Sequence, residues 1–470
     1  MKKLIFALLI SIVFILPVVS QPVDLVKAEN AVQARLLSSG MDGACVISNY
    51  DRFQDSNGSV LFFLFQLSPK GYMIIPGEME LPPVIAYSFI DDPDKEGRLV
   101  SLVRADLTFR LQGSPESVKT RNRLAWERIS ITDVKSSLFQ QWPEPGTTLT
   151  GGWLETNWTQ STPYNQLCPM DLVTGVRSIA GCPAVAMAQI VNFHQTVNSV
   201  HFTDEDDYYH SYAGRNFMID DDYLPVDFPS FPMLNGYLDT LQISYDNGTT
   251  LKNRDKAALT FACGVAARQV FTSSASGTFG VDQALNAYLK FNFQEVDLLD
   301  ENDTTLYSRM AQNIKDTLPV HLAVVDPAWS MGHNVVVDGY NTDEYFHLNF
   351  GWGGPSNGWY HLPEEIPYGL TVIEGAVVDI IPDFPTGITA QRTTPEIFFP
   401  NPARDNLNFT TGNDRYSTAS FYSFQGQLVR TIILDNTRSI LDISDLSEGI
   451  YFIRLIGAQG FVSGKVVICR

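Results

Sequence analysis

The chain has 470 residues, enough for two to four domains, and carries a formal net charge of −20. Such acidity repels nucleic acid phosphates and anionic lipid, and it argues against both as partners. Its apolar fraction of 44% and aromatic fraction of 12% are those of a folded protein, which excludes bulk disorder.

The N-terminus has the features of a secretory signal peptide. Lys2 and Lys3 precede an apolar run over residues 4–19, and the small Ser20 follows it. This run is short for a membrane-spanning helix, and no second long apolar run follows. We therefore expect cleavage after Ser20, export, and no stable membrane insertion of the mature protein.

The next segment has the pattern of a small α+β region. Helical spacing covers residues 23–38. Strand-like runs follow at residues 44–48, 59–66, 71–75 and 84–88. A basic helical stretch between Arg104 and Lys135 is unusual in this acidic chain, and the Pro/Gly-rich residues 142–152 predict a domain boundary.

Cys182 begins the most informative stretch of the central region. Pro183 follows it directly, and an Ala/Val/Ile-rich run comes next. Because proline is favoured in the first turn of a helix, Cys182 is predicted at or next to the helix N-cap. Free amides and the helix dipole stabilise an anion there and lower a thiol pKa. A buried cysteine at the start of a core helix is the alternative for this motif alone.

The cysteine count and two acidic clusters bear on metal binding. Five cysteines are widely spaced without a CxxC pair, which argues against a zinc site and a disulfide scaffold and leaves at least one thiol unpaired or joined to another chain. Residues 204–207 and 220–222 are acidic. They are candidates for calcium, but without EF-hand-like spacing we favour solvated loops.

A cysteine nucleophile needs a base, and His333 has the most suggestive setting of the seven histidines. A β-branched run follows it, and residues 344–350 form a second strand. A hairpin symmetric about Asn341 would place His333 opposite Asn349, with Cβ atoms roughly 5 Å apart. An amide there would orient the imidazole, as in a Cys–His–Asn arrangement. A slip of one residue would turn Asn349 to the other face.

Gly351-Trp352-Gly353-Gly354 follows the hairpin. We expect Trp352 to shield the His–Asn contact from water, while the glycines allow backbone to pass closely. A loop with a core tryptophan is the alternative for this motif alone.

Four separated motifs resemble the streptopain family of secreted bacterial cysteine peptidases, which have a papain-like fold. They occur in the family's order within residues 150–380: Gln160 with Pro163-Tyr164-Asn165; Ala180-Gly181-Cys182 with residues 186–190; Gly332-His333 with Val337-Asp338-Gly339; and His347-x-Asn349-x-Gly351-Trp352-Gly353-Gly354. Two positions depart from the pattern: Pro183 follows the cysteine, and Phe350 stands where the family often has tryptophan.

The resemblance implies a role for each of these residues. Cys182 is the nucleophile, His333 the general base, and Gln160 a donor to the oxyanion hole. Asn349 and Trp352 take the orienting and shielding positions. No metal or organic cofactor is implied.

The flanking regions resemble companions of such enzymes. Residues 66–75 and 85–88 are similar to the family's inhibitory propeptide. Phe399-Pro400-Asn401-Pro402, with residues 446–451 and 464–466, is similar to type IX secretion sorting domains.

The predicted fold is α+β: a papain-like two-lobed peptidase domain, preceded by a small α+β prodomain and followed by a small β-sandwich. The expected divisions are a signal peptide at 1–20, an inhibitory propeptide at 21–145, the peptidase domain at 146–385, a linker at 386–396 and the sorting domain at 397–470. We expect activation by cleavage between about Lys119 and Gly151.

The expected function is that of a secreted cysteine endopeptidase zymogen. Its partners would be protein or peptide substrates, its own propeptide and the type IX secretion machinery. The alternatives are a catalytically weak or inactive peptidase-like surface-binding protein, and another cysteine acyl-transfer enzyme such as an amidase or a transglutaminase-like protein.

Overall fold

The computed structural model describes residues 21–94, 96–129, 139–293, 295–325, 332–363, 373–382, 398–409, 416–423, 428–434, 440–457 and 460–470. Contacts divide the chain into two units, Met1–Asp383 and Phe384–Arg470. The expected signal peptide and linker lie outside the described residues, as does part of the expected cleavage segment.

The N-terminal region, residues 21–129, begins with a capped amphipathic helix. Its elements are α1 (Leu25–Ser38), β1 (Val46–Gln54), β2 (Val60–Ser68), β3 (Tyr72–Pro76), β4 (Ala86–Ser88), α2 (Arg98–Gly113) and α3 (Glu116–Ile129). The Asp24 side chain caps α1 by accepting from the Lys27 amide at 2.8 Å. Asp55 Oδ1 accepts from the Asn57 and Ser59 amides and closes the β1–β2 turn. These elements match the helix and the four strands that the pattern predicts.

The central region, residues 139–382, alternates helices and strands. Its elements are β5 (Gln141–Trp142), β6 (Met170–Asp171), β7 (Val176–Arg177), α4 (Cys182–His194), β8 (Tyr208–Tyr212), β9 (Arg215–Ile219), α5 (Phe231–Asp246), α6 (Asn253–Ala266), α7 (Asp282–Lys290), β10 (Asp297–Asp300), α8 (Leu306–Lys315), β11 (Val320–Val325), β12 (Gly332–Asn341), β13 (Tyr345–Asn349), β14 (Gly358–His361) and β15 (Ile373–Val378).

Strands of the two regions join in one antiparallel sheet. Its order is β1-β2-β3-β4-β14-β13-β12-β11-β15-β10, with β5 paired to β12. The regions meet where β4 pairs with β14, through Tyr87 opposite Trp359 and Ala86 opposite Tyr360. The N-terminal region therefore covers the edge of the central region's part of the sheet.

Strand β12 separates two apolar cores. Val336 lies in the core that contains α4 to α7, whereas Val335 and Val337 lie in the core that contains α2 and α8. Successive side chains of a strand point to opposite faces. The same alternation assigns Asn334 to the face of α4 and His333 to the face of α2.

The C-terminal unit is built from seven short strands in its described part: β16 (Phe398–Phe399), β17 (Asn406–Phe409), β18 (Tyr416–Ser423), β19 (Leu428–Ile433), β20 (Ile440–Asp442), β21 (Gly449–Gly457) and β22 (Gly460–Ile468). They form two antiparallel sheets, β16-β17-β20 and β19-β18-β21-β22. Both sheets contribute to one core, which includes Leu407, Phe421 and Ile453.

Candidate active site

Cys182 is the first residue of α4, and its side chain is partly buried. Gly181 precedes the helix with φ 86°, a conformation that favours glycine. A Cβ there would lie 2.9 Å from Gln269 Oε1 and 3.0 Å from the Ser276 carbonyl oxygen. Gln269 Nε2 donates to the Ala180 carbonyl at 2.6 Å. The chain before the cysteine is therefore held by packing that admits no side chain.

Burial dominates the electrostatics of the Cys182 thiol. It raises the pKa of this thiol above its ordinary value, while hydrogen bonds from Asn334 and from the Cys182 backbone lower it. The lowered pKa expected from the helix start is therefore wrong for this state, because desolvation outweighs the donors.

His333 lies in β12 and is only 6% exposed. Its Nε2–H donates to the Phe350 carbonyl at 2.9 Å. Its ring stacks on Trp352, with ring centroids 4.7 Å apart, and on Phe350, with centroids 5.9 Å apart. Burial is the first cause that lowers the pKa of His333 to about 4, and the Arg98 charge lowers it further. The imidazole is therefore neutral at neutral pH.

The predicted register of the β12–β13 hairpin is wrong. Asn349 pairs with Val336 and not with His333. The hairpin loop spans Thr342 to Glu344, which has φ 67°, so its centre lies two residues beyond Asn341.

A bulge at Asp338 then moves the pairing back by one residue, so that Asn349 lies opposite Val336 and not Val337. Pairing skips Asp338, whose carbonyl accepts from the Trp153 amide at 2.7 Å instead of serving the ladder. The Asp338 carboxylate is buried between His347 Nδ1, 2.6 Å away, and the Leu154 amide, 3.0 Å away.

Asn349 contacts a different set of groups from the one expected. Its Nδ2 donates to the Thr156 carbonyl at 2.8 Å, and its Oδ1 accepts from Gln189 Nε2 at 3.3 Å and from the Gly351 amide at 3.1 Å. The hydrogen bond that orients His333 is instead the one that its Nε2–H donates to the Phe350 carbonyl.

Trp352 stacks on His333 and also contacts the N-terminal region. The Arg98 guanidinium of α2 lies 4.2 Å from the Trp352 ring centroid, within cation–π range. A positive charge thus stacks on the indole that stacks on His333. The sequence drew attention to the basic stretch but gave no reason to place Arg98 here.

Gln160 lies beside the start of α4. Its carbonyl accepts from the Ala180 amide at 2.8 Å, two residues before Cys182, and its side chain is partly buried. The structure therefore places Gln160 next to the segment that leads into Cys182.

Cys182 and His333 are not joined by a hydrogen bond in the described residues. Asn334 Nδ2 lies 3.9 Å from Cys182 Sγ, within range for a sulfur acceptor, whereas His333 bonds to Phe350. Asn334 is absent from the sequence prediction. The period-2 alternation of β12 was a usable signal, because it turns the two neighbours to opposite faces.

Three further cysteines have no disulfide partner and are buried: Cys45, Cys168 and Cys263. Cys469 is unpaired and exposed. Burial raises the pKa of Cys45, Cys168 and Cys263. Cys182 and Cys469 are therefore the two thiols with access to solvent.

The acidic clusters meet in space. Ligand atoms of Asp207, Asp220 and Asp221 lie within 4.8 Å of one another. Burial and these neighbouring carboxylates raise the pKa of Asp207 to about 6. Lys290 pairs with the adjacent Asp206 at 2.7 Å.

Comparisons with known proteins find family matches for two parts of the chain. Residues 158–360 match the Peptidase C10 family, and residues 397–469 match the secretion system C-terminal sorting domain. None of the helices in the described part of the chain has the length and apolarity of a membrane span.

The relatives include thiol proteases. Streptopain of Streptococcus pyogenes is 23% identical over 335 residues, which are 67% of this chain and 77% of that protein. The thiol protease/hemagglutinin PrtT of Porphyromonas gingivalis is 26% identical over 317 residues, which are 64% of this chain and 34% of that protein. A prointerpain A fragment from Prevotella intermedia is a structural neighbour with 17% identity and a TM-score of 0.48, covering 71% of this chain and 98% of the fragment.

The sorting domain indicates secretion or a cell-surface location. Residues 158–360 therefore match a cysteine peptidase domain of the C10, or streptopain, family, and residues 397–469 match a type IX secretion sorting domain.

Proposed function

We propose that this chain is the latent form of a secreted cysteine endopeptidase, with Cys182 as nucleophile and His333 as general base, on a papain-like two-lobed domain. One observation carries the proposal. Cys182 occupies the first position of a buried helix that packs against β12, the strand that bears His333. Free amides at a helix start suit a thiolate and the oxyanion that forms beside it.

The proposed reaction has two steps. The Cys182 thiolate attacks the peptide carbonyl carbon, and the oxyanion is held by the Cys182 amide and the Gln160 side chain. His333, protonated by the Cys182 thiol, gives this proton to the leaving amine as the C–N bond breaks, which yields the acyl-enzyme. His333 then removes a proton from water, and the hydroxide attacks the acyl carbon, which releases the acid and restores the Cys182 thiolate beside protonated His333.

Two residues support the proposed base. Trp352 covers one face of the His333 ring and excludes water from it. Asn349 supports the base indirectly, without contacting it. Its contacts to Gln189 and Gly351 hold the end of β13 against α4. The Phe350 carbonyl takes the orienting position that the sequence assigned to the Asn349 side chain.

The N-terminal region is proposed to be inhibitory. With this region in place, Cys182 and His333 bond to different partners, and Arg98 disfavours the imidazolium. Burial favours the neutral thiol as well. A neutral thiol with a neutral imidazole is a poor nucleophile, since the thiolate is the reactive form.

Loop contacts hold α2 in this position. The Asp94 carboxylate accepts from the Arg98 and Leu99 amides at 3.0 Å and caps α2. The Asp94 amide in turn donates to Ser356 Oγ at 2.9 Å, and the Ser356 amide donates to the Asp92 carbonyl at 2.7 Å. This loop ties the start of α2 to the segment after Trp352.

Casein hydrolysis by the processed protein tests the function. We expect the wild type to release peptides and a peptidyl epoxide to stop it. Cys182→Ala should lower the rate by at least about a thousandfold. Cys469→Ser, the exposed thiol, is the matched control and should keep the wild-type rate.

Three outcomes would contradict the proposal. Retained hydrolysis by Cys182→Ala would show that Cys182 is not the nucleophile. An inert wild type, shown by N-terminal sequencing to have lost residues 21–145, would favour the binding-protein alternative. Epoxide-sensitive turnover of small amides alone would favour another acyl-transfer enzyme.

The activation site has its own prediction. Cleavage is expected between about Lys119 and Gly151, which would release α2 with the rest of the N-terminal region. N-terminal sequencing of active enzyme measures this, and a mature start upstream of residue 100 would refute it.

A further inference from the structure

A chain of polar groups runs from the partly buried Cys182 and Asn334 into the core that contains α4. Asn334 Oδ1 lies 2.7 Å from His321 Nε2, and His321 Nδ1 lies 3.2 Å from the Tyr288 hydroxyl. Tyr288 and His321 are both 0% exposed. Three elements supply these groups: α7 carries Tyr288, β11 carries His321 and β12 carries Asn334.

The direction of the hydrogen bonds follows from the groups themselves. Asn334 Oδ1 can only accept, so His321 Nε2 carries the imidazole proton. Neutral His321 then accepts at Nδ1, and the Tyr288 hydroxyl donates to it. Burial lowers the pKa of His321 to about 4, which keeps the ring neutral at neutral pH. With Oδ1 engaged, the Asn334 amide group turns its Nδ2–H groups toward Cys182 Sγ.

Asn334 presents two donors to the sulfur. Its backbone amide and its side-chain amide both favour the charged form of Cys182. The titratable groups nearby are His321 on β11, Tyr288 on α7 and His333, which lies beyond Asn334 on β12. Within the described residues, no charged side chain is among the groups that shift the Cys182 pKa. The two Asn334 donors therefore oppose the effect of burial on the Cys182 pKa.

We propose that Asn334 stabilises the Cys182 thiolate by direct hydrogen bonding, with His321 and Tyr288 as positioning residues that fix the orientation of its amide. This inference rests on the proposed role of Cys182 as the nucleophile. It assigns a function to three residues outside the Cys–His pair. The opposite amide orientation, with Oδ1 toward the sulfur, would favour the thiol, so the sign of the effect distinguishes the two arrangements.

The test is the pH profile of Cys182 alkylation in the full chain. Iodoacetamide is neutral and reacts with the thiolate, and mass spectrometry follows its adduct from pH 5 to 10 on a Cys469→Ser background. Asn334→Ala should raise the apparent thiol pKa by about one unit, which slows alkylation at pH 7 about tenfold. Asn341→Ala removes a second asparagine of β12, which is buried, and should leave the profile unchanged.

The positioning residues are tested by a conservative pair. His321→Leu should slow alkylation about threefold, because the Asn334 amide is then free to turn. His321→Gln keeps an N–H near the Nε2 position and should restore the wild-type rate. Tyr288→Phe should give a smaller change in the same direction as His321→Leu.

Clear outcomes would overturn the inference. They are an unchanged or lowered thiol pKa in Asn334→Ala, or identical rates for His321→Leu and His321→Gln. Thermal melting checks that each variant folds. If Asn334→Ala does not fold, Asn334→Leu replaces it, since leucine has a similar shape but carries neither a side-chain donor nor a charge, and a thiol pKa that is not raised would refute the contact. Alkylation needs no turnover, so its result is separate from the casein test of Cys182→Ala.

Discussion

At the scale of single residues, Arg98 is the contact through which the N-terminal region influences His333. Its charge lies over Trp352 and adds to the burial that keeps the imidazole neutral. Arg98→Gln in the full chain should therefore raise the His333 pKa, although it stays below 6.5 because burial is the larger cause. NMR titration of the His333 ring in a Cys182→Ala background measures the shift.

A matched change on the same helix controls for loss of charge alone. Arg104 is exposed and bonds to the Gln54 carbonyl, away from Trp352. Arg104→Gln should leave the His333 titration unchanged. An equal shift in both variants would mean that Arg98 acts through overall charge and not through its stacked position.

At the scale of elements, Arg35 anchors α1 to the central region. It is 9% exposed, pairs with Asp343 at 2.9 Å, and lies 4.5 Å from the ring centroids of both Tyr87 and Tyr345. Arg35→Met should lower the free energy of local unfolding of α1 by about 1–2 kcal/mol. This is at the low end for a charged hydrogen bond, because Asp343 is half exposed and regains water. Hydrogen exchange of residues 25–38 should then lose roughly tenfold in protection.

Arg52→Met is the control for this prediction. Arg52 is exposed and lies 5.7 Å from the Phe63 ring centroid, so its loss should change protection of residues 25–38 by less than about twofold. Equal protection in the wild type and Arg35→Met would refute the anchoring role of Arg35.

At the scale of the whole molecule, four buried or partly buried histidines with lowered pKa values make the protein sensitive to acid. Burial is the largest cause that lowers the pKa of His194, His321 and His333 to about 4 and of His361 to about 3. Between these values and the ordinary 6.5, the unfolded chain binds more protons than the folded chain. Stability should therefore fall as the pH falls through 6.5, and it should continue to fall toward 4.

Unfolding at several pH values between 7.5 and 4.5 measures this effect. Each buried histidine contributes up to about 1.4 kcal/mol per pH unit to the slope. His321→Leu removes one of them and should give a shallower slope, whatever it does to stability at pH 7.5. All seven histidines precede residue 384, so the C-terminal unit is an internal reference. A pH-independent first transition would contradict the prediction.

Acid should also loosen the N-terminal region from the central region. Arg98 stacks on Trp352, which stacks on His333, and Arg110 donates to the His361 carbonyl at 2.5 Å. Both arginines oppose protonation of these histidines. At low pH, docking would therefore bring like charges together. Electrostatic coupling of this kind links protonation to the inhibitory contact proposed above.

The sequence alone predicted the local features of this protein. Gly181, Cys182 and Pro183 indicated a helix start with a cysteine at its first turn, because capping preferences act over a few neighbouring residues. The β-branched run after His333 and the strand-like residues 344–350 located β12 and β13, and four ordered motifs indicated the family. Each of these signals depends on residues that lie close together in the sequence, so it can be recognised before the fold is known.

Only the tertiary structure decided which side chains meet. The register of β12 and β13 depends on a three-residue loop and on a bulge at Asp338, whose carbonyl is taken by Trp153 from a distant part of the chain. That shift separated Asn349 from His333. Long-range packing likewise brought Arg98 onto Trp352, and it connected Tyr288, His321 and Asn334 to Cys182. Contacts between distant segments are set by the packing of whole elements, and no local pattern encodes them.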